Sequence, residues 1–155
     1  MKIFKTISTP IGDISIAADY DCITNIIFGS FVPDAKAVTS AVLEKAASQL
    51  LEYFAGTRKI FDLPLKFGGT AFQNRVWREL LSIPYGETIS YKTLAERIGN
   101  ANACRAVGMA NNKNPIPIVI PCHRVVGANG KLTGYAGGLD VKKFLLELEQ
   151  KQELF

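Results

Sequence analysis

The chain is poor in the residues that carry most enzyme chemistry. It has one histidine, three cysteines and one tryptophan in 155 residues. With a single imidazole, any reaction that needs a histidine base must take place around His123. Cys22, Cys104 and Cys122 are scattered, with no C-x-x-C pair and no second histidine, which argues against a zinc tetrahedron. No stretch approaches the ~20 apolar residues of a membrane span. Near the start, Asp13 interrupts the apolar run before a signal-peptide core can form, so the first residues read as a strand and not a leader. A cytoplasmic location follows, with free thiols in place of disulfides. No metal, cofactor or membrane is expected.

What remains is an ordinary globular composition, 48% hydrophobic and 21% charged, without low-complexity runs or sustained heptads. The length suits one compact domain, or one domain plus a small cap, able to bury roughly 70% of the surface its unfolded chain exposes. Charge is unevenly placed. Through Gly69 seven Lys/Arg face seven Asp/Glu, whereas from Thr70 onward eleven face seven, so the whole formal +4 lies in the second part. A basic excess confined to one half suits a polyanion partner, although a chance surface imbalance would look the same.

Residues 3–7, 14–18 and 23–28 are short β-branched runs separated by turn residues, which predicts an antiparallel meander. Helical spacing from Ala37 to Phe54 follows, and then a strand from Lys59 to Leu63. The fold class expected is α/β: an N-terminal cap over 1–66, built of an antiparallel sheet plus a helix, then a mainly α domain over 71–155. Phe67-Gly68-Gly69-Thr70 is the linker. In the second domain Phe72, Val76, Trp77, Leu80 and Leu81 make an apolar stripe with Arg75 and Arg78 opposite. Ser90–Ile98 and Asn102–Ala110, joined through Gly99, read as a helix-turn-helix. On its second helix Ala103, Ala106, Val107 and Ala110 suit packing, while Arg105 and Met109 project beside Gly108. Such a helix can approach a duplex closely and insert a cation, or simply carry a solvated arginine. Val125 to Tyr135 reads as a hairpin, and Asp140 as the cap of a last helix with Val141, Phe144, Leu145 and Leu148 inward.

The most informative stretch is Ile120-Pro121-Cys122-His123-Arg124-Val125, which sets a cysteine beside the sole imidazole. Two prolines, Pro115 and Pro117, keep the preceding segment extended. A free thiol is only a few per cent ionised near neutrality, and a neighbouring imidazole is one of the few groups able to raise that fraction. Glu149 follows Leu145 by four residues and Val141 by eight, so it lies along the edge of the last helix's buried face. There it either makes a surface ion pair or is held inside. If held inside, it orients His123, which draws the proton from Cys122 through a bridging water, because sequence neighbours point their side chains apart.

At this point the residues resemble a family, the O6-alkylguanine-DNA alkyltransferases, also called methylated-DNA–protein-cysteine methyltransferases. The resemblance rests on Phe72-Gln73-x-x-Val76-Trp77, Ile83-Pro84-Tyr85-Gly86-Glu87-Thr88, Ser90-Tyr91-x-x-Leu94-Ala95 and Arg105-Ala106-Val107-Gly108. It continues through Asn114-Pro115, the Cys122 motif, Thr133-Gly134-Tyr135-Ala136-Gly137-Gly138 and Leu145-Leu146-x-x-Glu149. It implies stoichiometric transfer of an alkyl group from O6 of guanine, or O4 of thymine, in double-stranded DNA to Cys122 after base flipping. It also implies that His123 and Glu149 support the thiolate, Asn114 braces the turn, Tyr135 protonates the departing guanine and Lys142 assists. The backbone of Cys122, Val125 and Ala136 would read the base under a roof of Gly137 and Gly138. Arg105 would fill the vacated stack and Tyr91 rotate the 3′ phosphate. Ala106 and Gly108 would let the recognition helix into the minor groove, the protein acting as a monomer.

Two departures accompany the match. The N-terminal zinc site of some relatives is not expected here, and a position that often holds a bulky apolar pocket residue is Asn111. Two rivals remain. A Cys-His hydrolase would explain the dyad but not the Arg105 helix or the basic second half. A lesion-binding module would explain the helix, but such modules lack the acceptor cysteine. Cys104 and Cys22 are expected as packed thiols.

Overall fold

A computed structural model describes residues 2–135 and 137–153, which divide into two compact units, 1–67 and 68–155. In the first unit β1 (Lys2–Thr9), β2 (Gly12–Asp19) and β3 (Cys22–Phe28) form the antiparallel meander in the order β1-β2-β3. The turns are tight, Thr9 pairing with Gly12 and Asp19 with Cys22. Gly12 has φ +97°, the left-handed conformation a glycine adopts without steric penalty. Helix α1 (Ala41–Phe54) starts at the Ser40 cap, four residues later than the spacing suggests, because the Ser40 side chain accepts from Leu43 N–H. Its Leu43, Ala46, Leu50 and Tyr53 are fully buried, as are Ile14, Ile16 and Ile23 of the sheet.

The strand expected over Lys59–Leu63 does not form. Gln49 of α1 bonds the Asp62 backbone on both sides, donating to its carbonyl at 3.0 Å and accepting from its N–H at 2.9 Å. A side chain thus satisfies groups a strand would have paired. Past the expected strand, Leu65 bridges to the sheet at Ile23.

The second unit is mainly helical. Helix α2 (Ala71–Leu80) opens with a full capping box between Thr70 and Gln73. It stops at Leu80, and Leu81, expected on the apolar stripe, is 45% exposed. Helices α3 (Tyr91–Arg97) and α4 (Cys104–Asn112) make the helix-turn-helix, with Gly99 at φ +83° in the turn. Arg75 donates to the Ile98 carbonyl and so caps the end of α3. Trp77 donates from its indole to the Ala110 carbonyl at 2.8 Å, tying α2 to α4.

The hairpin expected over 125–135 is replaced by something else. Strand β5 (Val125–Val126) pairs in parallel with β4 (Ile89–Ser90), and residues 128–130 make a 3-10 turn with Asn129 at φ +65°. Gly127 N–H bonds the Lys131 carbonyl at 2.7 Å, closing that turn before a second strand can pair. The last helix, α5 (Leu139–Glu153), begins with Lys142 N–H bonded to the Gly138 carbonyl. Asp140 therefore sits in the first turn, where it suits the helix dipole, and not at the cap. Among the described residues no helix is long and apolar enough to cross a membrane, and no group of three or more His, Cys, Asp or Glu is placed to hold a metal ion.

Candidate active site

The segment before Cys122 is not the extended rod that its prolines suggest. Pro117 and Ile120 bridge across a tight turn, and Ile118 takes φ +75° while fully buried. A β-branched residue in that region carries a cost of about 1–2 kcal/mol, which its surroundings must offset. Asn114 supplies the brace: its amide donates to the Ile120 carbonyl at 2.7 Å, and its Oδ1 accepts from Ile116 N–H at 2.9 Å. The chain then tightens into a 3-10 turn, Cys122–Arg124, all three residues of which are buried. Asn111 of α4 donates to the Cys122 carbonyl at 3.3 Å, so the helix-turn-helix holds the backbone of Cys122 directly.

Glu149 is held inside. Its carboxylate lies 2.6 Å from His123 Nε2, accepts from Arg124 Nε at 2.8 Å and Nη2 at 3.1 Å, and accepts from Gly86 N–H at 3.2 Å. Burial alone would raise its pKa, but the His123 hydrogen bond and the Arg124 charge hold it at about 2. Burial, first of all, lowers the pKa of His123 below 6.5, although Glu149 opposes this. The ring is therefore neutral near pH 7, and its carboxylate partner fixes the proton on Nε2. Nδ1 is buried without a hydrogen bond in the structure, leaving it as a base. Arg124, which the sequence does not single out, also donates to the Ile83 carbonyl at 2.7 Å.

Cys122 is 3% exposed, and burial pushes its thiol up to about 11. The Asn114 amide, the Lys142 charge and the Tyr135 hydroxyl pull the other way. Burial, first of all, and then the charge of Cys122 raise the Tyr135 pKa well above 10, so its hydroxyl stays protonated. Lys142 is fully buried, donating to the Val125 and Thr133 carbonyls at 2.7 Å each, and burial lowers its pKa to about 8. Gly138 has φ +96°, which only glycine adopts freely. Gly137 precedes it, and Ala136 lies outside the described residues.

A second cluster faces solvent. A cavity of about 340 Å³ lies between Tyr91, Cys104, Arg105, Gly108, Asn112 and Thr133. Arg105 and Met109 project from α4 as expected, but Ala106 is exposed too, since the packed face is Val107, Ala110 and Asn111. Cys104 is exposed and Cys22 half-buried, so neither is the packed core thiol the sequence suggests. Both stand on the outer side of elements whose buried stripe is already filled.

Two domains of one protein family match nearly the whole chain. Residues 2–67 match the ribonuclease-like domain of 6-O-methylguanine DNA methyltransferase, and residues 71–151 match its DNA binding domain. The chain belongs to this family. It is 50% identical to the methylated-DNA–protein-cysteine methyltransferase of Methanosarcina acetivorans over 151 residues, covering 94% of this chain and 97% of that protein. Identity to the methyltransferase of the same name from Mycobacterium tuberculosis is 47% over 158 residues, covering 96% and 93%. The crystal structure of the M. tuberculosis O6-methylguanine methyltransferase superposes with a TM-score of 0.91 at 46% identity, covering 98% of this chain and 94% of that one. M. tuberculosis OGT in complex with DNA gives 0.91 at 47% identity, covering 96% and 93%. In this methyltransferase the antiparallel-sheet unit and the helix-turn-helix unit are those of the family.

Proposed function

We propose that the chain repairs alkylated DNA by direct reversal, moving the alkyl group from O6 of guanine, or O4 of thymine, onto Cys122. The observation that carries this reading is the buried Cys122 thiol beside the protonated Tyr135 hydroxyl, with the adjoining residue a neutral His123 hydrogen-bonded to the Glu149 carboxylate. His123 Nδ1 takes the thiol proton through a bridging water, and Glu149 stabilises the imidazolium that forms. The thiolate attacks the alkyl carbon in line. The new S–C bond forms as the O–C bond breaks, and Tyr135 donates to the departing base. The proton lost by Cys122 balances the one guanine gains. Asn114 keeps the turn, and Lys142 favours the thiolate while fixing the Val125 carbonyl.

The target carbon sits inside the duplex, so the base is turned out at a cost of about a few kcal/mol. Arg105 fills the gap in the stack, and Tyr91 turns the 3′ phosphate. Ala106 and Gly108 keep α4 thin enough for the minor groove. Backbone groups of Cys122, Val125 and Ala136 read the base under Gly137 and Gly138. The protein acts as a monomer in the cytoplasm. A thioether has no leaving group that water could displace, and none of the groups around Cys122 can restore the thiol. One protein molecule therefore repairs one lesion.

The test is intact mass after mixing with a duplex carrying O6-methylguanine, followed by peptide mapping. The expected product carries one methyl in place of one hydrogen, on Cys122, and Cys122→Ala gains nothing while still binding the duplex. Methyl on another residue, or repeated turnover of an ester or amide, overturns the reading.

A further inference from the structure

Tyr91 and Thr133 are 42 residues apart and exchange two hydrogen bonds. The Tyr91 hydroxyl donates to the Thr133 carbonyl at 3.3 Å, and the Thr133 hydroxyl donates to the Tyr91 oxygen at 3.1 Å. The Thr133 carbonyl is itself fixed, because Lys142 donates to it at 2.7 Å while donating to the Val125 carbonyl at the same distance. The Lys142 ammonium also lies 5.9 Å from the centre of the Tyr91 ring, within cation–π range. The ring also lies close to α4: a Cβ added at Gly108 would lie 3.8 Å from two of its carbons. Each degree of freedom of the phenol is thereby restrained. Gly108 and Lys142 set the plane of the ring, and Thr133 sets the direction of its hydroxyl. Both residues line the cavity that Arg105 also lines.

We propose that Thr133 is a positioning residue, its side-chain hydroxyl holding the Tyr91 hydroxyl ready at the mouth of this cavity so that Tyr91 acts on the DNA backbone without first having to be ordered. The inference rests on the alkyl-transfer reading and adds a residue to it. A hydroxyl aimed in advance spares the ordering step during extrusion of the base. Thr133 Oγ1 makes its bond to Tyr91 and not to the sulfur's neighbours, so its effect falls on extrusion and leaves the displacement at Cys122 to the groups around the sulfur.

The experiment compares single-turnover methyl uptake from duplex O6-methylguanine with uptake from the free O6-methylguanine base. Thr133→Val keeps the branched shape and removes the hydroxyl. It is expected to lower the ratio of duplex to free-base rates about fivefold, the scale of one net hydrogen bond. Thr133→Ser restores the hydroxyl and with it the ratio. In a Tyr91→Phe background Thr133→Val adds nothing, because its partner is gone. Thermal midpoints of Thr133→Val and Thr133→Ser separate loss of fold from loss of positioning. An unchanged ratio, an equal fall on both substrates, or independent effects of the two substitutions overturns the inference while leaving alkyl transfer standing. A wild-type protein that takes methyl from neither substrate overturns both.

Discussion

Glu149 Oε2 stands 2.6 Å from His123 Nε2, and neither side chain is open to water. The pair joins α5 to the turn that carries Cys122, and Arg124 completes it by forking onto the same carboxylate. One acidic group therefore neutralises a buried guanidinium and selects the tautomer of the sole imidazole.

Removing that charge strands a buried guanidinium. Glu149→Gln is expected to cost about 3 kcal/mol of unfolding free energy near neutral pH, since it leaves Arg124 uncompensated. The pH dependence follows from the same shifts. Glu149 titrates at about 2 in the folded chain against an ordinary 4.5, so its contribution is complete above about 4.5 and is lost as pH falls through that value towards 2. His123, lowered from 6.5, also contributes fully above 6.5 and less below it. Urea unfolding at a series of pH values should show wild type weakening below 6.5 and again below 4.5, with the second fall much smaller in the Gln variant, where Glu44 is left with a lowered pKa.

The rate of methyl uptake carries its own pH signature. The Cys122 thiol sits at about 11, so the thiolate population, and the rate with it, grows as pH rises from neutrality. Above about 8 Lys142 loses its proton, the positive charge beside the sulfur disappears and the climb flattens. Lys142→Met should be slower below this point by about tenfold and show no break there. Single-turnover rates on the free base between pH 6 and 10 decide it, and a break retained in the variant assigns it elsewhere.

Thiol accessibility distinguishes the three cysteines without any substrate. Cys104 is exposed, Cys22 half-buried and Cys122 buried with a raised pKa. A bulky aromatic disulfide reagent should label Cys104 within seconds, Cys22 slowly and Cys122 only on unfolding. Peptide mapping of partially labelled protein reads the order. Fast labelling of Cys122 would contradict the enclosure described for it.

Much of this architecture could be read from local pattern. The meander followed from alternation and turn residues, and the position of Glu149 on α5 followed from its spacing to Val141 and Leu145. Both depend on short-range periodicity, which the chain states openly. Non-local replacement was harder to see. Nothing near Asp62 announces that Gln49 will satisfy its backbone, and nothing near Arg124 announces a carboxylate 25 residues away. Charged residues ordinarily mark solvent, so fully buried Lys142 and nearly buried Arg124 run against composition. Ile118 is the sharpest case. A β-branched residue between prolines argues for extended backbone, yet the Asn114 brace bends it into a turn. The helix-turn-helix was legible as two helices, but which faces of α4 pack depended on where α2 and α3 met it. Ala106 and Cys104 accordingly face solvent where spacing alone predicts packing.

The only tryptophan in the chain is buried at 4% exposure and donates its indole proton to the Ala110 carbonyl, in the last turn of the helix that bears Arg105. Indole emission responds to the loss or strengthening of such a bond. The molecule consequently carries a native optical reporter wired to the helix-turn-helix, and if α4 meets the duplex as proposed, stopped-flow emission should time that encounter with no added dye.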